Sequence, residues 1–146
     1  MLITSPSFEN NSSIPKKFTC DGGNINPQLL IQNVLTNAKS LALIVDDPDA
    51  PSGTFVHWMV WNINPATTEI KEESVPSGSV EGSNGRGSLG YIGPCPPTGT
   101  HHYHFKLYAL DTMLALKEGA SKADLESAMQ GYILEEASFI GLYARL

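Results

Sequence analysis

Short apolar runs, broken by clusters of proline, glycine and aspartate, dominate the chain. Residues 40–45 (SLALIV) are almost continuously apolar, the pattern of a buried strand. The run stops at Asp46-Asp47-Pro48-Asp49-Ala50-Pro51, whose aspartates and prolines force a loop. The next run, 55–63 (FVHWMVWNI), is apolar on both faces, which predicts a central strand covered on two sides; Asn64-Pro65 ends it. Residues 102–110 (HYHFKLYAL) alternate instead. His102, His104 and Lys106 share one face, while Tyr103, Phe105 and Leu107, with His101 before them, share the other. Residues 71–101 are rich in glycine, proline and serine and read as a long loop region, of the kind that most often carries function in a compact domain. One helix is predicted over 121–136. Ser121 caps it with Asp124 three positions on, and Leu125, Ala128, Met129, Tyr132 and Ile133 follow at helical spacing. A last strand is predicted over 138–144. Strands in runs with one late helix predict a mainly β fold, with antiparallel sheets and a helix packed on them.

Length and charge narrow the partners. The chain has 146 residues, enough for one domain (1–146) with one continuous core. Nine Lys+Arg against fifteen Asp+Glu give a net charge of −6. That balance excludes a nucleic-acid binder, which needs a basic surface to replace phosphate counterions, and it disfavours adsorption to anionic membranes. An anionic ligand must then be captured locally, by a few donors in a pocket. No run approaches the roughly 20 apolar residues of a membrane helix, so no integral membrane segment is expected. The start, MLITSPSFENNSSIPKKF, lacks the features of a signal peptide, and the expectation is a cytoplasmic protein. In a reducing cytoplasm Cys20 and Cys95 are expected as two thiols rather than a disulfide, and without a CxxC spacing they form no zinc site.

Three segments carry candidate chemistry. The aspartate–proline loop follows a buried strand, so Asp47 can reach a pocket and orient a histidine; the competing reading is a solvated turn. His57 lies in an apolar strand and needs a buried partner, for which Asp47 is the expectation. In Gly93-Pro94-Cys95-Pro96-Pro97-Thr98-Gly99-Thr100, prolines and glycines build a rigid loop that enters a strand at His101. There His101 and Tyr103 face inward and offer donors to a ligand oxygen, while His102 and His104 are expected at solvent. Alternation splits the clustered histidines between two faces, so no metal site and no cofactor are expected. No GxSxG elbow is present, and Ser83 and Ser88 have no assignable base, so no catalytic residue is assigned.

Together these segments resemble the phosphatidylethanolamine-binding family, also called Raf-kinase-inhibitor-like. Two blocks carry the resemblance: DDPDAP (46–51) followed by His57-Trp58, and GPCPPTGTHHYHFKLYALD (93–111). ITSPSFENNSSIPKKFTCDGGNINP (3–27) and EEASFIGLYAR (135–145) support it, so it spans nearly the whole chain and looks like the bacterial and archaeal branch. The resemblance implies a Greek-key β-sheet sandwich with an anion pocket at one end. By motif match the ligand-binding residues are Asp47, His57, Pro94, His101 and Tyr103, with Asp49, Pro51 and Gly93 supporting the loops. It implies binding without catalysis of a small anion, phosphate or a phosphorylated head group. A second reading, by analogy alone, is inhibition of a kinase or serine protease through protein contact. Relatives of this kind are often dimers, which makes a homodimer an expectation. Where the family often has Arg between the histidine and tyrosine of the second block, this chain has His102, which puts any ion pairing by that Arg in doubt. The helix that follows the last strand in animal members is absent, which implies a more open pocket mouth.

Overall fold

The computed structural model describes residues 1–145. Its larger sheet is built on four long strands, β4 (Ser40–Asp47), β5 (Phe55–Ile63), β8 (Thr100–Leu110) and β9 (Ile133–Ala144). The short strands β2 (Ser12–Ser13) and β7 (Val80–Glu81) flank them, giving the order β2-β9-β8-β4-β5-β7. The smaller sheet has the order β1-β3-β6, from β1 (Leu2–Thr4), β3 (Leu29–Gln32) and β6 (Glu69–Ile70). Pairing is antiparallel except where β2 joins β9. The expected mainly β sandwich is therefore what the chain forms. The smaller sheet escaped the sequence reading because strands of two to four residues are too short to show a period.

Strand β4 lies at the centre, and all eight of its residues are buried. Leu41, Leu43 and Val45 pack between the sheets with Leu29, Ile31 and Ile70. Ala42 and Ile44 face the opposite side, with Leu125 and Met129 of α1 (Lys122–Met129). The same alternation separates the two acids that end the strand. Asp47 turns toward the inter-sheet side, where it meets His101. Asp46, only 1% exposed, turns toward the helix. There its Oδ2 accepts Lys106 from β8 at 3.0 Å and Lys122 from the first turn of α1 at 3.1 Å, pinning the helix start to the sheet.

The helix is capped as predicted, with the Ser121 hydroxyl accepting the Asp124 N–H at 3.1 Å, but it ends at Met129 rather than near 136. Gly131, at φ 86°, turns the chain back, and Ile133 opens β9 five residues before the expected 138. Pairing of β9 with the full length of β8, from Thr100↔Ala144 to Leu110↔Ile133, overrides the helical spacing of Tyr132 and Ile133. Both of those residues are exposed rather than part of the helix stripe.

Cys20 and Cys95 form a disulfide across 75 positions of sequence, against the expectation of two thiols. No spacing rule encodes their approach. It depends on Gly93, where a Cβ would stand 2.4 Å from the Phe18 carbonyl oxygen, so only glycine lets the two segments lie together. The crossing is tied by the Gly93 N–H to Asn24 Oδ1 at 2.8 Å, the Cys20 N–H to the Pro94 carbonyl at 3.1 Å, and the Tyr91 hydroxyl to the Phe18 carbonyl at 2.8 Å.

Two stability outcomes are expected. Asp46→Asn leaves two lysines facing a buried amide and lowers the unfolding free energy in urea by about 3 kcal/mol, the low end for a broken buried pair because both lysines are partly exposed. The Cys20→Ser/Cys95→Ser double variant loses a long-loop crosslink and falls by about 4 kcal/mol in the same assay. A change within about 0.5 kcal/mol in either case would show that the contact contributes nothing to stability.

Candidate functional site

A bulge places the first site residue. Val45 pairs with Trp58 and Asp46 with Val56, so β5 has one residue more than β4 at this point, and that residue is His57. Simple alternation would send His57 to the helix side with Met59 and Trp61. The extra residue turns it to the same side as Trp58, toward the space between the sheets. The bulged backbone is then satisfied by the loop after β7. The Ile92 N–H donates to the His57 carbonyl at 2.9 Å, and the His57 ring Nδ1 donates to the Ile92 carbonyl at 2.6 Å. A carbonyl only accepts, so Nδ1 carries the hydrogen and Nε2 is the nitrogen left to the cavity. The ring is 5% exposed. Burial holds its pKa below the ordinary 6.5, and the Ile92 carbonyl and the Asp47 and Asp46 charges offset this only in part.

Asp47 does not partner His57, as had been expected, but His101. The His101 Nδ1 meets Asp47 Oδ2 at 2.6 Å, with both side chains buried. The second carboxylate oxygen accepts the Asp49 N–H at 2.8 Å, which fixes the turn of the aspartate–proline loop. Asp49 lies outside the cavity lining and closes the loop. Its Oδ2 accepts both the His102 N–H at 2.8 Å and the His102 ring Nδ1 at 2.7 Å. These hydrogen bonds hold the Asp49 carboxyl below the usual carboxylate range. The pairing put in doubt by His102 is thus made by the imidazole itself.

Alternation along β8 holds as predicted. His101, Tyr103 and Phe105 are buried, His102 is exposed and His104 half-buried. Tyr103 is 1% exposed, with its ring edge-on to His57 at 5.1 Å and stacked on His101 at 6.3 Å. Its hydroxyl is buried without a hydrogen-bond partner. Burial, with the nearby Asp47 and Asp49 charges, pushes the phenol far above its ordinary 10, so it stays a neutral donor.

Asp47, His57, His101 and Tyr103 converge on one cavity of about 170 Å³. Pro51 and Gly93 line it too, whereas Pro94 does not: that residue is buried and spends its carbonyl on Cys20. Pro96 and Pro97 form the wall instead, next to the disulfide sulfur of Cys95. Phe55, Ile92 and Arg86 also line it and lie outside the two motif blocks. Arg86 sits on a turn organised by Asn84, whose Oδ1 accepts the Arg86 N–H at 3.0 Å and the Ser88 N–H at 3.3 Å. Gly85 lets that turn press on the strand, because a Cβ there would lie 2.4 Å from the Phe55 ring. The signal available was a lone arginine inside SNGRGS, one of only two arginines in the chain.

A larger groove of about 920 Å³ runs along residues 30–34 and 65–69, but it is open and Glu69 is its only charged side chain. Among the described residues no three His, Cys, Asp or Glu side chains are grouped so as to hold a metal ion.

Comparison with known proteins finds relatives over nearly the whole chain. The family model described as phosphatidylethanolamine-binding protein matches residues 4–144. A UPF0098 protein of Pyrococcus horikoshii is 52% identical, over 99% of this chain and 77% of the relative. A UPF0098 protein of Methanothermobacter thermautotrophicus is 51% identical over 99% of both chains. Among solved structures, a phosphatidylethanolamine-binding protein homologue of Chlamydia trachomatis superposes with a TM-score of 0.96 at 40% identity, covering 99% of this chain and 97% of its own. YbcL of Escherichia coli, described as a member of the mammalian family, superposes with a TM-score of 0.93 at 30% identity over 99% and 98%.

The depressed His57 pKa sets a sign for stability against pH. Below the ordinary 6.5 the unfolded chain binds a proton that the folded ring resists, so stability is full above that value and is lost as pH falls toward the folded pKa. The urea midpoint should therefore drop between about pH 7 and about pH 5, and His57→Gln should flatten part of that slope. An identical slope in the variant would contradict the assignment.

Proposed function

The chain belongs to the phosphatidylethanolamine-binding protein family, and from that premise we propose that it binds a small oxyanion, a phosphate group foremost, in the Asp47–His57–His101–Tyr103 cavity. The observation that carries this reading is the Tyr103 hydroxyl, a buried polar group with no protein partner at the wall of that cavity. A buried hydroxyl left unpaired in the free protein costs stability and gains its partner when a ligand oxygen arrives. Arg86 adds a permanent positive charge to the same lining. The whole chain carries −6, so attraction for an anion must come from these local donors.

Size favours a head group over a whole lipid, because about 170 Å³ lies below the usual range for a drug-sized ligand. The lining contains no serine or threonine, and its one cysteine is held in the disulfide, so it offers no nucleophile of the Ser-His or Cys-His kind.

Tyr103→Phe separates binding from folding. It removes the unpartnered hydroxyl and keeps the ring, so urea stability should hold or rise while affinity for inorganic phosphate, read by calorimetry, falls about tenfold. Arg86→Ala should weaken phosphate by at least as much with stability unchanged. Parent, Tyr103→Phe and Arg86→Ala binding phosphate equally would place the anion elsewhere.

A further inference from the structure

The tautomer of His57 has a consequence for the ligand. Its Nδ1 hydrogen is committed to the Ile92 carbonyl, at 2.6 Å, inside a backbone pairing that also uses the Ile92 N–H. In the neutral ring Nε2 is then a bare lone pair. A lone pair repels an oxyanion. Nε2 can meet one only if a hydrogen lies between them, either on the ring or on the ligand. Rotating the ring to offer Nδ1 instead would leave the Ile92 carbonyl unpaired in a buried site, which is costly.

Resting on the anion reading above, we infer that the cavity takes up one proton with each oxyanion it binds, held between His57 Nε2 and a ligand oxygen. A ligand that already bears an acidic hydrogen, such as a hydrogen phosphate or a protonated phosphate monoester, brings the proton with it. A phosphodiester has none and must draw it from water onto the ring. Affinity is thereby tied to pH through the occupied site, so acidification loads the pocket and alkalinisation empties it.

The groups facing the ring from each packed element make this balance possible. Asp47 and Asp46, at the end of β4, favour an added positive charge, and Arg86, on the turn after β7, opposes it. Tyr103 of β8 packs its neutral ring perpendicular to the imidazole, and Phe55 lies against the imidazole at 4.9 Å and contributes no charge. His101 is engaged with Asp47 and not with His57. Before a ligand arrives, burial keeps the ring neutral; the arriving anion adds the missing negative partner, and charging becomes favourable.

Dimethyl phosphate tests the inference, because a diester keeps a single charge throughout the relevant pH range. Calorimetry at about pH 7.5, above the ordinary imidazole range, in two buffers of different ionisation enthalpy reads the protons exchanged directly. The expected result is uptake of about one proton per diester, with affinity falling about tenfold per unit of rising pH. His57→Gln offers an amide N–H in place of the charged ring and should bind with no uptake and a flat pH profile. If that variant does not fold, ring nitrogen shifts in the parent read the same event: Nε2 should move to its protonated position on binding. Diester binding without proton uptake, full uptake in His57→Gln, or an unmoved Nε2 signal overturns the proton coupling and leaves the anion reading intact. No heat with phosphate or diester anywhere between about pH 5 and about pH 8 overturns both.

Discussion

The hydrogen bond from the His57 ring to the Ile92 carbonyl holds together the parts from which the site is made. On one side lies a bulge in β5, which has room for an extra residue only because the neighbouring loop satisfies its backbone. On the other lies the segment 91–97, which supplies the proline wall and is tied to residues 18–24 through Gly93, Asn24 and the Cys20–Cys95 disulfide. The same bond decides which imidazole nitrogen faces the cavity and therefore what chemistry that nitrogen offers. Position, support and protonation state follow from one contact between a side chain and a backbone atom.

The end of β4 divides structure from function in two consecutive residues. Asp46 points to the helix layer and holds α1 through Lys106 and Lys122. Asp47 points between the sheets and orients His101. Both carboxylates are buried, and each accepts from nearby protein donors. Both faces keep a buried polar atom without a partner, Asp46 Oδ1 on the helix side and the Tyr103 hydroxyl on the other, but only Tyr103 lines the cavity. Its place in the cavity lining is what makes that open hydroxyl available to a ligand oxygen.

Much of this was readable in the chain. The apolar runs at 40–45 and 55–63 predicted β4 and β5, and the alternation through 101–107 assigned each histidine to its correct face. Two paired motif blocks pointed to the family, and four of the five ligand-binding residues matched on them, all but Pro94, line the cavity. What stayed hidden depends on contacts between distant segments. The expected pairing of Asp47 with His57 gives way to His101, because His57 Nδ1 donates to the Ile92 carbonyl across a bulge that is a property of strand pairing. The disulfide required a glycine crossing that no cysteine spacing records. Arg86 lay in a glycine-rich stretch whose fold is set by the Asn84 side chain. The overlong helix was a failure of local periodicity against the pairing energy of β8 with β9.

The most direct measurement is a crystal structure with arsenate, a heavier analogue of phosphate whose anomalous signal locates it without ambiguity. The account predicts an arsenic peak inside the cavity, with oxygens within about 3 Å of His57 Nε2 and the Tyr103 hydroxyl. An empty cavity beside a well-ordered Tyr103, or arsenate held only on surface lysines, would contradict it.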